Sequence, residues 1–305
     1  MVDIRDKPFL AHEDIMGLNF IRAPGVFVFR RHYRAGLRSH IMEILAPGQL
    51  ETEKAGRIVN GLRTFPRSRP RKVLRIFRKR FHDIAEALGE PKRVKMIERH
   101  LGPEYMAGSS EFIVDYALSG ERQVLLCGVQ EYVEGEILDP WSPLDDDHIG
   151  SLLARLGRLK PGDPTKGLGA WIRQVRQGAR EFAGRVRAMI RLAGHVPDLA
   201  GIGNLILTPS CRIKLVDINN VSRVSFTSSI AVDDRGYPVC DKSIQALSLL
   251  ERNLAGILRE KEDPLSRVFL DPPRMRDVRA IERAFHGAHE NVGYPVFTYP
   301  APKGP

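Results

Sequence analysis

The spacing of apolar positions along this chain changes several times, and each change predicts an element. Gly25–Tyr33 (GVFVFRRHY) alternates and is rich in aromatics, the pattern of a strand. From Glu51 the spacing becomes helical. Ala55, Ile58, Val59 and Leu62 recur on one face, and beyond Pro66 and Pro70 so do Leu74, Phe77, Phe81 and Ile84. Val94, Ile97 and Leu101 predict a third helix, stopped by Gly102-Pro103. Glu111–Leu118 and Gln123–Val133 then read as strands joined by a turn, the second apolar enough to be a buried central strand.

After Pro140 and Pro143 the pattern is mainly helical. Asp145–Asp147 offer capping carboxylates ahead of Ile149, Leu152, Leu153 and Leu156. Trp171, Val175, Phe182, Val186 and Ile190 keep one face of a long helix that Gly194 ends. Asn204–Thr208 and Arg212–Ile218 form a short hairpin around Pro209-Ser210, and Ser243–Leu258 reads as a final amphipathic helix. The proline-rich tail after Tyr294 reads as extended. This order predicts an α+β fold with two lobes. Residues 1–135 would form a small mixed lobe with a helical insertion at about 50–103, and residues 136–305 a mainly helical lobe.

Composition narrows the class. With 305 residues, 43% of them hydrophobic, the chain has the makings of a packed core and not of bulk disorder. Its apolar runs are too short to span a bilayer, and the charged N-terminus does not read as a signal peptide. Cys127, Cys211 and Cys240 are widely spaced, which argues against a disulfide framework and for a reducing cytoplasm. The formal charge is +10, and Arg63–Arg80 holds nine Lys/Arg with no acid. That block suits an anionic membrane surface or nucleic acid, and equally a solvated face. His12, His32, His40, His82 and His100 lack ligand spacing. Gly162–Gly169 (GDPTKGLG) lacks both the Ser/Thr after its Lys and the preceding strand of a phosphate loop.

The segment that carries chemistry runs from His195 to Ser222 (HVPDLAGIGNLILTPSCRIKLVDINNVS). A hairpin brings its ends together, so Asn204 at its mouth and Asp217 at its far end should meet beside Asp198. Two carboxylates and an amide oxygen make a hard-oxygen site suited to Mg²⁺ and phosphate. The same residues also suit turns and strand ends as capping groups.

These residues resemble the catalytic loop and metal-binding segment of the protein-kinase superfamily, including its aminoglycoside-phosphotransferase-like branch. The resemblance spans Glu98–Glu251. It implies ATP and Mg²⁺ as cofactors, Asp198 as catalytic base, and Asn204 and Asp217 as metal ligands. Val129–Leu138 resembles the hinge after the fifth strand, which implies that Gln130 guards the back pocket and that backbone groups of Glu131 and Val133 meet adenine. Glu98 stands where the superfamily's helix Glu would pair with a strand Lys, with Arg30, Arg31 and Lys79 as nominal partners. Cys240–Glu251 resembles the helix whose opening acid, here Asp241, braces the catalytic loop. The chain departs from the pattern in four places. Asp198 precedes Asn204 by six positions instead of five, and His195 precedes Asp198 by three instead of two. Ile-Asn follows Asp217, and no Gly-rich loop stands out. The resemblance implies a phosphotransferase acting on a small-molecule, envelope-sugar or protein hydroxyl, or a pseudokinase that only binds.

Overall fold

The computed structural model describes residues 2–22, 25–32, 38–158, 167–259 and 263–289. The expectations for Tyr33, for most of GDPTKGLG and for the tail after Tyr294 lie outside those residues. The chain divides into two units. One comprises Met1–Glu98 and Ala107–Val133, the other Arg99–Met106 and Glu134–Pro305.

The first unit opens with α1 (His12–Met16), β1 (Val28–Arg31), β2 (Ser39–Leu45) and α2 (Pro47–Ala55). β3 (Arg57–Val59), β4 (Leu62–Thr64), β5 (Lys72–Phe77), α3 (Ile84–Ala87) and α4 (Gly89–Leu101) follow. β6 (Ser109–Leu118) and β7 (Glu121–Glu131) complete it. Its five-stranded sheet has the order β1-β2-β5-β7-β6, antiparallel throughout.

Strands interrupt the expected helical insertion between Arg57 and Phe77, while α2, α3 and α4 supply helix on either side. Asn60 (φ 50°) and Gly61 (φ 78°) make a two-residue turn of the kind that favours hairpins, so β3 and β4 pair across it. The apparent helical period of Leu74, Phe77 and Phe81 hid a strand. Leu74 and Ile76 pack on one side of the sheet with Ile15, Phe29, Met42, Leu125 and Cys127, whereas Phe77 joins Phe81, Ala87 and Leu126 in a second cluster. Arg75 interrupts that strand as a buried cation, paired with Glu111 at 2.9 Å. The α4 helix follows expectation, with Val94, Ile97 and Leu101 buried and Gly102 (φ 72°) beyond its end.

The basic block is therefore no continuous solvated helix face. Arg78 donates to the carbonyls of Arg5 and Lys7, and Arg80 pairs with Asp3 and Asp6. Lys79 pairs with Glu86, and Arg67 with Glu43. Much of its charge holds this unit together.

The second unit contains β8 (Glu136–Ile137), α5 (Asp146–Arg155), α6 (Leu168–Ala193), β9 (His195–Pro197), β10 (Leu205–Leu207), β11 (Ile213–Leu215) and β12 (Val221–Arg223). It continues with α7 (Val239–Leu249), a π-type turn at Leu250–Leu254, α8 (Pro264–Phe269) and α9 (Pro272–His289). Asp145 caps α5 by accepting from the His148 N–H, and Gly194 (φ 65°) ends α6. The helix expected at Ser243–Leu258 begins earlier and is not the last. Asp263 caps α8 ahead of Pro264, and α9 follows. The architecture is α+β, with an antiparallel sheet unit and a mainly helical unit.

Within the second unit, Arg99–Met106 precedes β6 in sequence yet packs with later elements. The Tyr105 carbonyl accepts from the Leu215 N–H at 2.9 Å, and Met106 bridges Leu215 in parallel. The Tyr105 hydroxyl donates to Glu181, and burial together with that partner pushes its pKa up to about 12.

Candidate functional site

The site is built on two small sheets of the second unit. β10 and β11 pair antiparallel, with Leu205 opposite Leu215, and the Val216 N–H donates to the Asn204 carbonyl at 2.8 Å. Asn204 and Asp217 therefore leave the same end of one hairpin. β9 pairs with β12, with Pro197 opposite Val221, and the Asp198 N–H donates to the Asn220 carbonyl at 2.9 Å. The second pairing delivers Asp198 to the residues that follow Asp217. Helix α6 seats the hairpin closely. A Cβ on Gly178 would lie 2.6 Å from the Cys211 carbonyl oxygen, so glycine is needed there.

The loop from Asp198 to Asn204 is fixed from several sides. Asp198 Oδ1 accepts from the Ala200 N–H and Oδ2 from the Asn220 amide, both at 2.9 Å. Asn204 Nδ2 donates to the Asp198 carbonyl at 3.1 Å, which leaves Oδ1 as the acceptor of that side chain. Gly201 makes room for it, because a Cβ there would meet the Asn204 side chain at 2.6 Å. From outside the loop, Trp141 Nε1 donates to the Ala200 carbonyl at 2.9 Å. Lys242 sits 4.0 Å from the centre of the Trp141 ring and pairs with Glu282.

Asp198 is buried, only 8% exposed. Burial and the nearby Asp217 carboxylate push its carboxyl up to about 6, against hydrogen bonds from Ala200 and Asn220 that favour the charged form. Asn219, between Asp217 and Asn220, is buried with no hydrogen-bond partner for Oδ1. The Asp198 and Asp217 carboxylates, in electrostatic contact, and the Asn204 and orphaned Asn219 amide oxygens are donors of the kind that suits a hard divalent cation. Among the described residues no cluster of three His, Cys, Asp or Glu could hold one, so any such ion would need the amide oxygens.

The remaining expected residues lie elsewhere. Gln130 is buried on β7 opposite Val73 and Ser109. The Glu131 N–H donates to the Gly108 carbonyl at 2.8 Å, and its carboxylate accepts from the Gly108 N–H. The Glu131 amide is thus committed within the sheet unit. Val133 closes that unit, half-buried just beyond the strand. Glu98 is half-exposed and pairs with Lys95 one turn earlier on α4, while Arg30 pairs with Glu43 and Glu53. Among the described residues Glu98 forms no strand–helix ion pair. The buried strand cation is Arg75, and its acid, Glu111, comes from β6.

Asp241 also differs from expectation. It is 1% exposed and pairs with Arg274 of α9, which further donates to the carbonyls of Thr227 and Ser229. The residue of α7 that braces the loop is Ser243, whose Oγ accepts from the Leu199 N–H at 3.2 Å. Asn220, Trp141 and Ser243 were not identified from sequence. The Asn-Asn pair after Asp217 was the one available signal.

No protein-family model matches this chain, and no curated protein matches it. Solved structures do match, 1076 chains in number. Among them is the ROP18 kinase domain in complex with AMP-PNP and sucrose, at 10% identity and a TM-score of 0.36, covering 87% of this chain and 82% of that one.

Proposed function

We propose that this chain is a kinase-like, ATP-dependent phosphotransferase whose chemistry centres on Asp198, Asn204 and Asp217. The observation that carries this reading is their convergence in one unit, with the Asp198 carboxyl raised by burial and by Asp217. Asn204 and Asp217 are the residues that would hold Mg²⁺. The ion supplies positive charge against the phosphate oxygens when bound. Gln130, the Glu131 carbonyl and Val133 are the proposed contacts for the nucleotide base.

In this reading Asp198 accepts the proton of an acceptor hydroxyl while that oxygen bonds to the γ-phosphorus. The bond to the β–γ bridging oxygen breaks, and ADP leaves with its electron pair. The interval from Asp217 to Asp241 is short for a segment that docks a peptide, which favours a small-molecule or envelope-sugar hydroxyl as acceptor over a protein.

A second reading is a pseudokinase-type binding module. Both Asp198 carboxylate oxygens already accept hydrogen bonds, and the strand cation is an Arg paired outside any helix. One pair of variants separates the readings. Mg-ATP should raise the melting temperature of the parent, and Asp217→Ala should remove that response. Asp198→Asn should keep the response and lose roughly a hundred- to ten-thousandfold of phosphotransfer or ATP hydrolysis. A parent that binds Mg-ATP with no turnover for Asp198→Asn to remove is a binding module. A parent indifferent to millimolar Mg-ATP contradicts both.

A further inference from the structure

The β3–β4 hairpin is unlike the rest of the sheet unit, because every residue of both strands is exposed. Two-stranded hairpins without a packed face are marginal in water, so an apolar one invites an explanation. Ile58 is 69% exposed, Leu62 72% and Phe65 63%, with Val59 beside them. The register puts Ile58 opposite Arg63 on one face, and Val59 opposite Leu62 on the other with Arg57 opposite Thr64. Both faces of the tip are therefore apolar, and each carries an arginine.

Acids precede the hairpin, Glu51 and Glu53 of α2, with Glu53 engaged by Arg30 and the Ser68 N–H. No acid occurs from Lys54 to His82. Among the described residues neither Arg57 nor Arg63 pairs with a carboxylate, and the hydrogen bond of the Arg63 side chain goes to the Ala55 carbonyl. The later cations of the run, from Arg75 to Arg80, serve internal pairs instead.

We propose that this hairpin is a wedge that inserts into the surface of an anionic lipid membrane. A groove on a partner protein or a second copy would cover one face of a two-stranded ribbon, whereas here both faces are apolar and suit a medium that surrounds the tip. The two arginines can lay their stems along that tip and keep their guanidinium groups at the level of anionic headgroups. Nucleic acid would use the cations and leave Ile58, Leu62 and Phe65 in water.

The test uses the full chain with vesicles of phosphatidylcholine alone and of phosphatidylcholine with one part in four phosphatidylglycerol. The parent should co-sediment with the anionic vesicles. Replacing Ile58, Leu62 and Phe65 together by Ser should weaken this by more than about a hundredfold at low and high salt alike. Arg57→Gln and Arg63→Gln should each cost about fivefold at low salt and much less at high salt. Because the hairpin packs against little, all variants should keep the parent's melting temperature. Leu62→Trp should show a blue shift in emission on anionic vesicles beyond that of the parent, which carries Trp141 and Trp171. A parent that ignores the vesicles would overturn the proposal. So would an undiminished triple Ser variant, a self-association that depends on the hairpin without vesicle binding, or oligonucleotide binding in its place.

Discussion

The Asn220 side-chain amide donates to Asp198 Oδ2 at 2.9 Å, from just ahead of β12, which the chain reaches only after closing the β10–β11 hairpin. The bond fixes which way the buried carboxyl faces. A hydrogen bond to a charged group contributes about 1.5–3 kcal/mol. Asn220→Ala should therefore lower the phosphotransfer kcat by roughly ten- to a hundredfold. KM for ATP and the Mg-ATP melting shift should barely change, since the metal side of the site is untouched. Asn220→Ser, which keeps a donor, should recover part of the loss. Steady-state kinetics of the three proteins check this, and a loss expressed only in KM would contradict it.

Gly201 offers a test of Asn204 that leaves Asn204 itself unaltered. An alanine Cβ at position 201 would collide with the Asn204 amide, which must turn away from the Asp198 carbonyl. Gly201→Ala should weaken the magnesium-dependent part of the ATP melting shift while the ligand-free melting temperature stays close to the parent's. An intact magnesium response would mean that Asn204 is not a ligand.

The Asp241–Arg274 pair is buried on both sides, at 1% and 8% side-chain exposure. Removing one member strands a charge. Arg274→Met should cost about 3–5 kcal/mol, and the Arg274→Met/Asp241→Leu double variant should cost clearly less than the sum of the single changes. Arg274 also holds the Thr227 and Ser229 carbonyls, so the single variant should be cut faster by protease near those residues. Denaturant titrations of the cycle and limited proteolysis measure the two effects.

His40 sets an acid limit on stability. Its Nε2 lies 2.9 Å from the Ile4 carbonyl, and Nδ1 receives an Arg78 N–H, so the ring is held neutral with its proton on Nε2. Burial, reinforced by Arg78, lowers its pKa to about 4 from an ordinary value of 6.5. The unfolded state therefore binds the proton more tightly than the folded one. The stabilisation is fully present above pH 6.5 and is lost as pH falls towards 4, roughly 2 kcal/mol of it by pH 5. Melting temperatures between pH 7 and 5 should fall less steeply in His40→Gln than in the parent.

What could be read from the chain followed from how local each signal was. The convergence of Asn204 and Asp217 was legible because hairpin pairing is a short-range rule, and the β6–β7 pair was legible from its two strand-like runs and the Ser119-Gly120 turn between them, both turn residues at positive φ. The Asn60-Gly61 turn was equally local, yet the helical spacing of Ala55, Ile58 and Leu62 masked it. β5 misled for a different reason. A strand buried on both faces shows no alternation, and Arg75 looked like a solvent residue because Glu111 lies far along the chain. Asn220, Trp141 and Ser243 act on the Asp198 loop through tertiary contacts, and no spacing rule reports those.

The interleaving of the two units bears on how the protein can be assembled. Arg99–Met106 emerges from the ribosome before β6 and β7, but its partners, Glu181 and Leu215, are made long afterwards. Leu101, Tyr105 and Met106, at most 2% exposed in the finished fold, must wait uncovered through that interval. A scission after Val133 would leave this segment on the wrong piece. The N-terminal fragment would carry the apolar segment 101–106 with nothing to cover it, and the C-terminal fragment would lack the backbone that satisfies Leu215. The two fragments should regain full structure only when mixed, which circular dichroism of each alone and of the mixture checks.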